Sequence, residues 1–301
     1  MKKVFLMFIM TLFVATLSAC DDSDDRPTPS GKVPDQPDTS TCKAVDFEYD
    51  YDALTYNLVW GDEFDGTELD EDKWVYEVNG SGGGNNELQY YTRDNTVVED
   101  GILKIIARNE EYLGRDYTSS RITSKGYGEF KYGIIEIRSK QPVGTGTWSA
   151  NWMMPAVSKY GGWPNSGEID IMEFVGYDPG LVHATVHTDL YNHPDNTQKG
   201  SSLSKDNDYV NEFHTFKLEW LPDKMTFYVD DVSYFTYKPS RYSNCPDQKS
   251  WPFDNEFFII LNVAIGGGWG GANGVDDSIF PTTMEVDFVR VYQAKEFEQY
   301  Q

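Results

Sequence analysis

Three carboxylates set in a strand-like run constrain this chain more than any other feature. Residues 167–174 read Gly-Glu-Ile-Asp-Ile-Met-Glu-Phe, so that Glu168, Asp170 and Glu173 lie among β-favouring apolar residues. Side chains alternate between the two faces of a strand, which places Glu168 and Asp170 together but puts Met172, rather than Glu173, beside them. A one-residue bulge after Asp170 would bring Glu173 back to the acidic face, and bulges are common beside active sites. The run therefore predicts a bulged strand with three acids on one face.

The spacing of the acids indicates their chemistry. At a rise of about 3.3 Å per residue, the bulged strand puts Glu168 and Glu173 about 13 Å apart along the backbone, and inward-leaning side chains bring the carboxyls to roughly 5–6 Å. A retaining glycosidase has its carboxyls about 5–5.5 Å apart, and an inverting one has them farther apart. Repulsion between the neighbouring negative charges of these three acids should also raise the pKa of at least one of their carboxyl groups. The alternative is an edge strand whose acids face solvent, but Trp163 and Pro164 just upstream favour a site.

The acidic run resembles the active-site strand of the glycoside hydrolase family 16 β-glucanases, in the bulged E-x-D-x-x-E form of laminarinases and agarases. This resemblance implies that Glu168 is the nucleophile, Glu173 the general acid/base, and Asp170 an electrostatic partner between them. Five further blocks resemble family segments in the same order, at residues 60–66, 85–91, 121–124, 146–153 and 288–292.

The rest of the chain predicts an all-β fold. Short apolar alternating segments are separated by turn residues, and no window carries a long stripe of helical period, which indicates a sandwich. The family resemblance sharpens this to a β-jelly roll of two curved antiparallel sheets, with the concave sheet forming a substrate cleft. We assign residues 46–301 to this catalytic domain.

The first 45 residues predict export. Met1, Lys2 and Lys3 precede an apolar run that ends at Ala19, which is typical of a signal peptide over residues 1–19. The segment ending in Cys20 resembles the bacterial lipoprotein signal, and this implies lipidation of Cys20; an ordinary cysteine is the alternative. Residues 20–45 are acidic and proline-rich, as in a flexible tether. We expect a protein that is anchored in the outer membrane and faces the cell surface.

The charge of the chain narrows its partners. The formal net charge is −24, which argues against nucleic acid and anionic membrane surfaces and favours a neutral polysaccharide or oligosaccharide. The 8 Trp, 20 Tyr and 17 Phe residues supply rings for the core and for stacking on sugars. Cys42 and Cys245 would be free to pair in an oxidising compartment, and the sequence leaves this open. We expect a monomer.

The family resemblance also implies a set of substrate-binding residues. Trp148 and Trp152 fall on one strand face, with core packing as the alternative for each. His187 is implied to lie beside Glu173 and to hydrogen-bond it, with a purely structural histidine as the alternative. The full set is Asn86, Glu87, Arg121, Trp148, Trp152, Trp163, His187, Asn262 and Trp269.

Metal and cofactor chemistry is not expected in catalysis. His183 and His187 share a strand face, but the metalloprotease helix motif needs Glu where this chain has Ala184. The resemblance implies one structural calcium ion, held by Glu63, the Gly101 carbonyl and Asp287, whose oxygens suit that ion.

The resulting functional hypothesis is a retaining endo-glycosidase that hydrolyses β-1,3-glucan (laminarin) or mixed-linkage β-1,3/1,4-glucan by double displacement. One alternative is an endo-β-galactosidase acting on mucin-type or keratan-like O-glycans or on algal galactans. Asn151 and residues 188–197 depart from the laminarinase pattern, which weakens the prediction of laminarin as the substrate. A second alternative is a non-catalytic glycan-binding lipoprotein on the same fold. The presence of both Glu168 and Glu173 argues against it.

Overall fold

The computed structural model describes residues 50–205, 208–238 and 247–300. Cys20, Cys42 and Cys245 lie outside these ranges, and so do the predicted signal peptide and the whole of the predicted tether. Among the described residues, no helix is both long enough and apolar enough to span a membrane.

Eight strands form the first sheet, which we call the acidic sheet because it contains the predicted catalytic strand. Its neighbouring strands pair in antiparallel fashion. In spatial order they are β13 (Lys199–Ser204), β12 (Leu181–His187), β11 (Glu168–Val175), β10 (Thr147–Pro155), β17 (Phe257–Ile265), β7 (Arg121–Thr123) and β2 (Val75–Tyr76), with β8 (Glu129–Phe130) paired to β17.

Ten strands form the second sheet, which we call the back sheet. Its pairs are antiparallel except for β3 with β6. In spatial order they are β16 (Val232–Tyr237), β15 (Met225–Val229), β14 (His214–Trp220), β9 (Gly133–Lys140), β18 (Thr282–Ala294), β5 (Ile102–Tyr112), β6 (Arg115–Ser119) and β3 (Gln89–Tyr91), with β1 (Tyr56–Asp62) on β18 and β4 (Thr96–Glu99) on β5. Short 3-10 turns occupy Tyr51–Ala53, Asp208–Val210, Asp277–Ile279 and Lys295–Tyr300.

The hydrophobic core lies between the two sheets. Along β9 buried and half-buried residues alternate strictly, as expected of a strand with one face on a core. Ile135 and Ile137 from the back sheet and Ile169 and Leu261 from the acidic sheet are all fully buried in one cluster. Each such side chain contributes about 1.5–3 kcal/mol relative to an exposed one. The predicted all-β jelly-roll sandwich is confirmed.

Candidate active site

Strand β11 carries the predicted bulge. On its β10 side, Asn151 lies opposite Met172 and Trp152 lies opposite Asp170, so Ile171 has no partner of its own. The ladder with β12 shows a register shift in the same place. The prediction of an extra residue after Asp170 is confirmed.

The bulge decides which side chains face the core. Ile171 and Met172 are consecutive in sequence, yet both are buried in the core cluster, at 1% and 0% exposure. Because the extra residue resets the alternation, Glu173 returns to the face of Glu168 and Asp170. All three acids therefore lie on the face of the acidic sheet that points away from the core.

Glu168 is held by an aromatic donor and an imidazole. The indole Nε1 of Trp163 donates a hydrogen bond of 2.6 Å to Oε2 of Glu168, and Nε2 of His187 lies 3.9 Å from Oε1. Burial, followed by the charge of Asp170, raises the pKa of Glu168 to about 8, while His187 and Trp163 act to lower it. Both neighbours therefore stabilise the ionised form of this carboxylate.

Glu173 has longer hydrogen bonds to different partners. Nε1 of Trp148 donates to its Oε1 at 3.2 Å, and the Thr185 hydroxyl donates to Oε2 at 3.4 Å. Burial, followed by the charge of Glu168, raises the pKa of Glu173 to about 7. An indole N–H is a donor only, so Oε1 must accept, and the proton of a neutral Glu173 belongs on Oε2.

Asp170 lies between the two glutamates and is almost fully buried, at 3% exposure. Its Oδ2 has no hydrogen-bond partner among the described residues and lies 3.4 Å from Nε2 of His187. Burial, followed by the charge of Glu173, raises the pKa of Asp170 well above its usual range. The three acids together therefore hold fewer than three negative charges at neutral pH.

The position of His187 differs from the expected one. The antiparallel register of β11 and β12 places His187 opposite Glu168 and places His183 opposite Glu173. The predicted hydrogen bond from His187 to Glu173 is therefore wrong, since the imidazole instead faces Glu168 and Asp170.

Among the described residues, Glu168, Asp170 and His187 are also the one group whose ligand atoms are close enough to hold a metal ion, within 4.8 Å of one another.

On the three strands that follow β11 in the sheet, β10, β17 and β7, the predicted cleft residues do come together. Nε1 of Trp152 donates to Oδ1 of Asn262 at 2.7 Å, and the Arg121 guanidinium lies 4.8 Å from the centre of the Trp152 ring. Nε of Arg121 pairs with Glu77 at 2.8 Å, which orients the guanidinium. Asn262 in turn donates to the Tyr91 hydroxyl at 3.2 Å. These residues form a polar and aromatic surface on the strands next to the three acids.

Glu87 is an internal anchor rather than an open ligand for substrate. Its side chain is buried, and Oε2 accepts hydrogen bonds from Gln89 at 2.7 Å and from Tyr91 at 3.3 Å. A side chain at position 83 would collide with it, because a Cβ added to Gly83 would lie 2.2 Å from Oε1 of Glu87. Its neighbour Asn86, by contrast, is exposed and has a φ of 60°. The direct substrate contact expected of Glu87 is not supported.

The remaining predicted aromatic residues flank the acids on opposite sides. Trp163 is 45% exposed beside Glu168, and its ring lies 5.8 Å from that of His187. On the Glu173 side, the rings of Trp148 and Trp269 meet edge to face at 5.5 Å. The alternative in which Trp148 and Trp152 serve only the core is excluded, because both indoles donate to polar groups of the acidic face.

The calcium residues have other partners in this structure. The Glu63 carboxylate makes two hydrogen bonds to Arg290, at 2.7 and 2.8 Å, which lower the Glu63 pKa. Asp287 is paired with Arg138. Both carboxylates therefore already have a guanidinium partner. A structural calcium ion stays a prediction.

Sequence reasoning missed three groups at the site, namely Thr185, His183 and Tyr91. Thr185 donates to Glu173 from β12, His183 pairs with Glu173 in the strand register, and Tyr91 links Glu87 to Asn262. Alternation along β12 was visible in the sequence, but its register against β11 was not. Only that register shows which of the two histidines faces which acid.

A β-sandwich that presents two differently bonded glutamates on an aromatic-lined face is the architecture of a glycoside hydrolase. The model of glycosyl hydrolases family 16 matches residues 84–289, and the chain belongs to this family.

Individual relatives agree with this assignment. The chain is 47% identical over 245 residues to a β-glucanase of Rhodothermus marinus, covering 79% of this chain and 85% of that protein. It is 40% identical over 250 residues to a glucan endo-1,3-β-glucosidase of Cryptopygus antarcticus, with 77% and 90% covered. The crystal structure of the Rhodothermus marinus laminarinase matches with a TM-score of 0.78 at 46% identity, covering 80% of this chain and 99% of that one.

Proposed function

We propose that this chain is a retaining endo-β-glucanase that cleaves β-1,3-glucan or mixed-linkage β-1,3/1,4-glucan. The observation that carries the proposal is the bulge in β11, which turns Glu168 and Glu173 to one face while giving each its own hydrogen-bond donors. The two relatives described above are named for activity on glucans, and the acidic chain suits a neutral polymer.

The hydrogen bonds support the assignment of roles. Glu168 accepts the shorter bond and has the imidazole close by, and both contacts favour its ionised form. Burial raises the pKa of Glu168 to about 8 and that of Glu173 to about 7, so the roles rest on these contacts and not on the order of the two pKa values. Glu173 is the proton donor, with its acidic proton on Oε2. Asp170, held neutral by burial beside Glu173, separates the two and limits the total charge.

The reaction then follows in two displacements. Glu168 attacks the anomeric carbon, the bond from that carbon to the leaving oxygen breaks, and Glu173 gives its proton to that oxygen. The ionised Glu173 next takes a proton from water as the water oxygen attacks the same carbon, and Glu168 is released as a carboxylate. Two inversions retain the β configuration.

The exposed rings supply the sugar contacts in this proposal. Trp163 presents an open face beside the proposed nucleophile, and Trp152 with Arg121 and Asn262 forms a second surface on β10, β7 and β17. Placed on both sides of the acids, these surfaces suit a polymer that continues past the cleaved bond, which is what endo cleavage requires.

We also propose a monomer that is lipid-anchored through Cys20 and held by a tether at the cell surface. The support is the sequence pattern of residues 1–45. Radiolabelled palmitate incorporation into the full chain tests this, with Cys20→Ser as the control; equal labelling of both proteins would overturn it.

Product release by the domain from residue 46 onward tests the activity. Laminarin, barley mixed-linkage glucan and a desialylated mucin O-glycan pool would each be incubated with the wild type and with Glu168→Ala. Oligosaccharides from either glucan, absent with the variant and first appearing as the β-anomer by NMR, are the expected result. Cleavage of the mucin glycans alone would make the enzyme a galactosidase, and binding without cleavage would leave a glycan-binding protein.

A further inference from the structure

A row of aromatic contacts leads away from Glu173. Trp148 donates to Oε1 of Glu173 at 3.2 Å, and the Trp148 ring meets the edge of Trp269 at 5.5 Å and 71°. Trp269 meets His183 at 5.0 Å and 75°, and the backbone of His183 pairs with that of Glu173 in the β11–β12 ladder. His183 therefore supports Trp269, which in turn supports the donor to Glu173.

Building on the function proposed above, we propose that His183 and Gly270 are positioning residues for the general acid. They hold the Trp148–Trp269 pair so that the Trp148 N–H reaches Oε1 and the acidic proton stays on Oε2. Neither residue was among those implied by the family resemblance, and neither transfers a proton in this proposal.

The role of Gly270 follows from its closeness to Trp148. A Cβ added at Gly270 would lie 2.7 Å from Cβ of Trp148 and 2.7 Å from the Gly266 carbonyl oxygen. Separations below 3 Å force one group to move, and the backbone carbonyl is the stiffer of the two obstacles. Because Gly270 has no side chain, the segment that carries Trp269 can approach Trp148 closely.

His183 acts here as a neutral aromatic ring. It is half-buried, and this burial lowers its pKa although Asp178 opposes the effect. Its edge-to-face geometry with Trp269 is the arrangement that aromatic quadrupoles favour. A phenyl ring at this position preserves the contact, whereas a methyl group leaves the far side of Trp269 without support.

The test uses two substrates that share the sugar and differ in the need for an acid. Dinitrophenyl and phenyl β-laminaribioside both place an aryl group beyond the cleaved bond, but only the phenyl aglycone needs a proton to leave. We would measure kcat/KM, which reports the glycosylation step, for the wild type, His183→Ala, His183→Phe and Gly270→Ala. The exposed His193→Ala serves as the matched control, and thermal unfolding confirms that each variant is folded.

We expect His183→Ala and Gly270→Ala to lose about tenfold on the phenyl substrate, a fraction of the 10²–10⁴ that general acid catalysis supplies, and to stay within about twofold on the dinitrophenyl substrate. His183→Phe and His193→Ala should match the wild type on both. Equal losses on the two substrates, or no loss on either, would overturn the positioning role. A wild type that cleaves neither substrate nor laminarin would instead overturn the proposed function, and this inference with it.

Discussion

The indole N–H of Trp163 lies 2.6 Å from Oε2 of Glu168, and the same indole ring is 45% exposed. The edge of the Trp163 ring therefore stabilises the charge of Glu168, the proposed nucleophile, while its flat face is open to solvent. Because the hydrogen bond requires the indole nitrogen while stacking on a sugar requires only a ring, the two roles are separable by substitution.

Replacing Trp163 with Phe should keep the stacking surface and remove the donor. A hydrogen bond to a charged group contributes about 1.5–3 kcal/mol, so the pKa of Glu168 should rise by about one to two units. Since catalysis needs Glu168 ionised, the acidic limb of the kcat/KM profile should move to higher pH, with KM little changed. An acidic limb that stays in place would show that this bond does not stabilise the anion.

Substitution of each glutamate by Ala should distinguish the two proposed roles. Glu173→Ala should lose about 10²–10⁴ of its rate on laminari-oligosaccharides but keep most of the cleavage of a dinitrophenyl glycoside, which needs no acid. Added azide should then yield a β-glycosyl azide, because azide replaces water on the covalent intermediate. In Glu168→Ala, azide replaces the nucleophile, and the product should be the α-azide. Exchanged stereochemistry would reverse the assignment.

Stability should depend on pH through Glu173. Burial raises its folded pKa to about 7, above the value for an unfolded chain, so its contribution to stability is present at low pH and is lost as the pH rises through 7. At pH 8, Glu173→Gln should therefore be more stable than the wild type by up to about 3 kcal/mol and melt at a higher temperature, whereas at pH 4 the two proteins should melt at nearly the same temperature. Scanning calorimetry at both pH values measures this.

The control for that measurement is Glu111→Gln, since Glu111 is an exposed glutamate at the end of β5. It should shift the melting temperature little at either pH. If Glu173→Gln does not stabilise the protein at pH 8, then ionising the buried Glu173 costs no free energy of folding, and its raised pKa is contradicted.

Deleting Ile171 should leave all three acids on one face. The shortened run Glu-Ile-Asp-Met-Glu alternates strictly, so Glu173 shares a face with Glu168 and Asp170 without an extra residue, and the variant should still hydrolyse laminarin. Ile171→Val keeps the bulge and should cost only about 0.5–1.5 kcal/mol of stability while retaining activity. Laminarin hydrolysis and thermal unfolding of both variants check this, and a deletion variant that is folded but inactive would show that the bulge itself, and not only the face of Glu173, is required.

Much of the site was predictable because its signal is local in sequence. The mismatch between Glu173 and the two-residue period required an extra residue, and the structure has it at Ile171. Trp148 and Trp152 were expected on one face because they are four residues apart on a strand, and both do donate to groups of the acidic face.

The misassigned residues all depend on contacts between distant segments. His187 and His183 have the same alternation, and only the pairing of β12 with β11 shows that His183 opposes Glu173. Glu87 was expected to contact the substrate, yet the fold buries its side chain, which accepts hydrogen bonds from Gln89 and Tyr91. Local periodicity contains no information on such pairings.

By itself, the amino-acid sequence determined the fold class, the acidic face and its bulge, because alternation along one strand follows from backbone geometry. The tertiary structure alone decided which donor holds which acid. Trp163 and Trp148 bond to different glutamates, and His183 rather than His187 stands opposite Glu173. The physical reason is that hydrogen bonds between strands depend on register, and register is set by the packing of the whole sandwich rather than by any one segment.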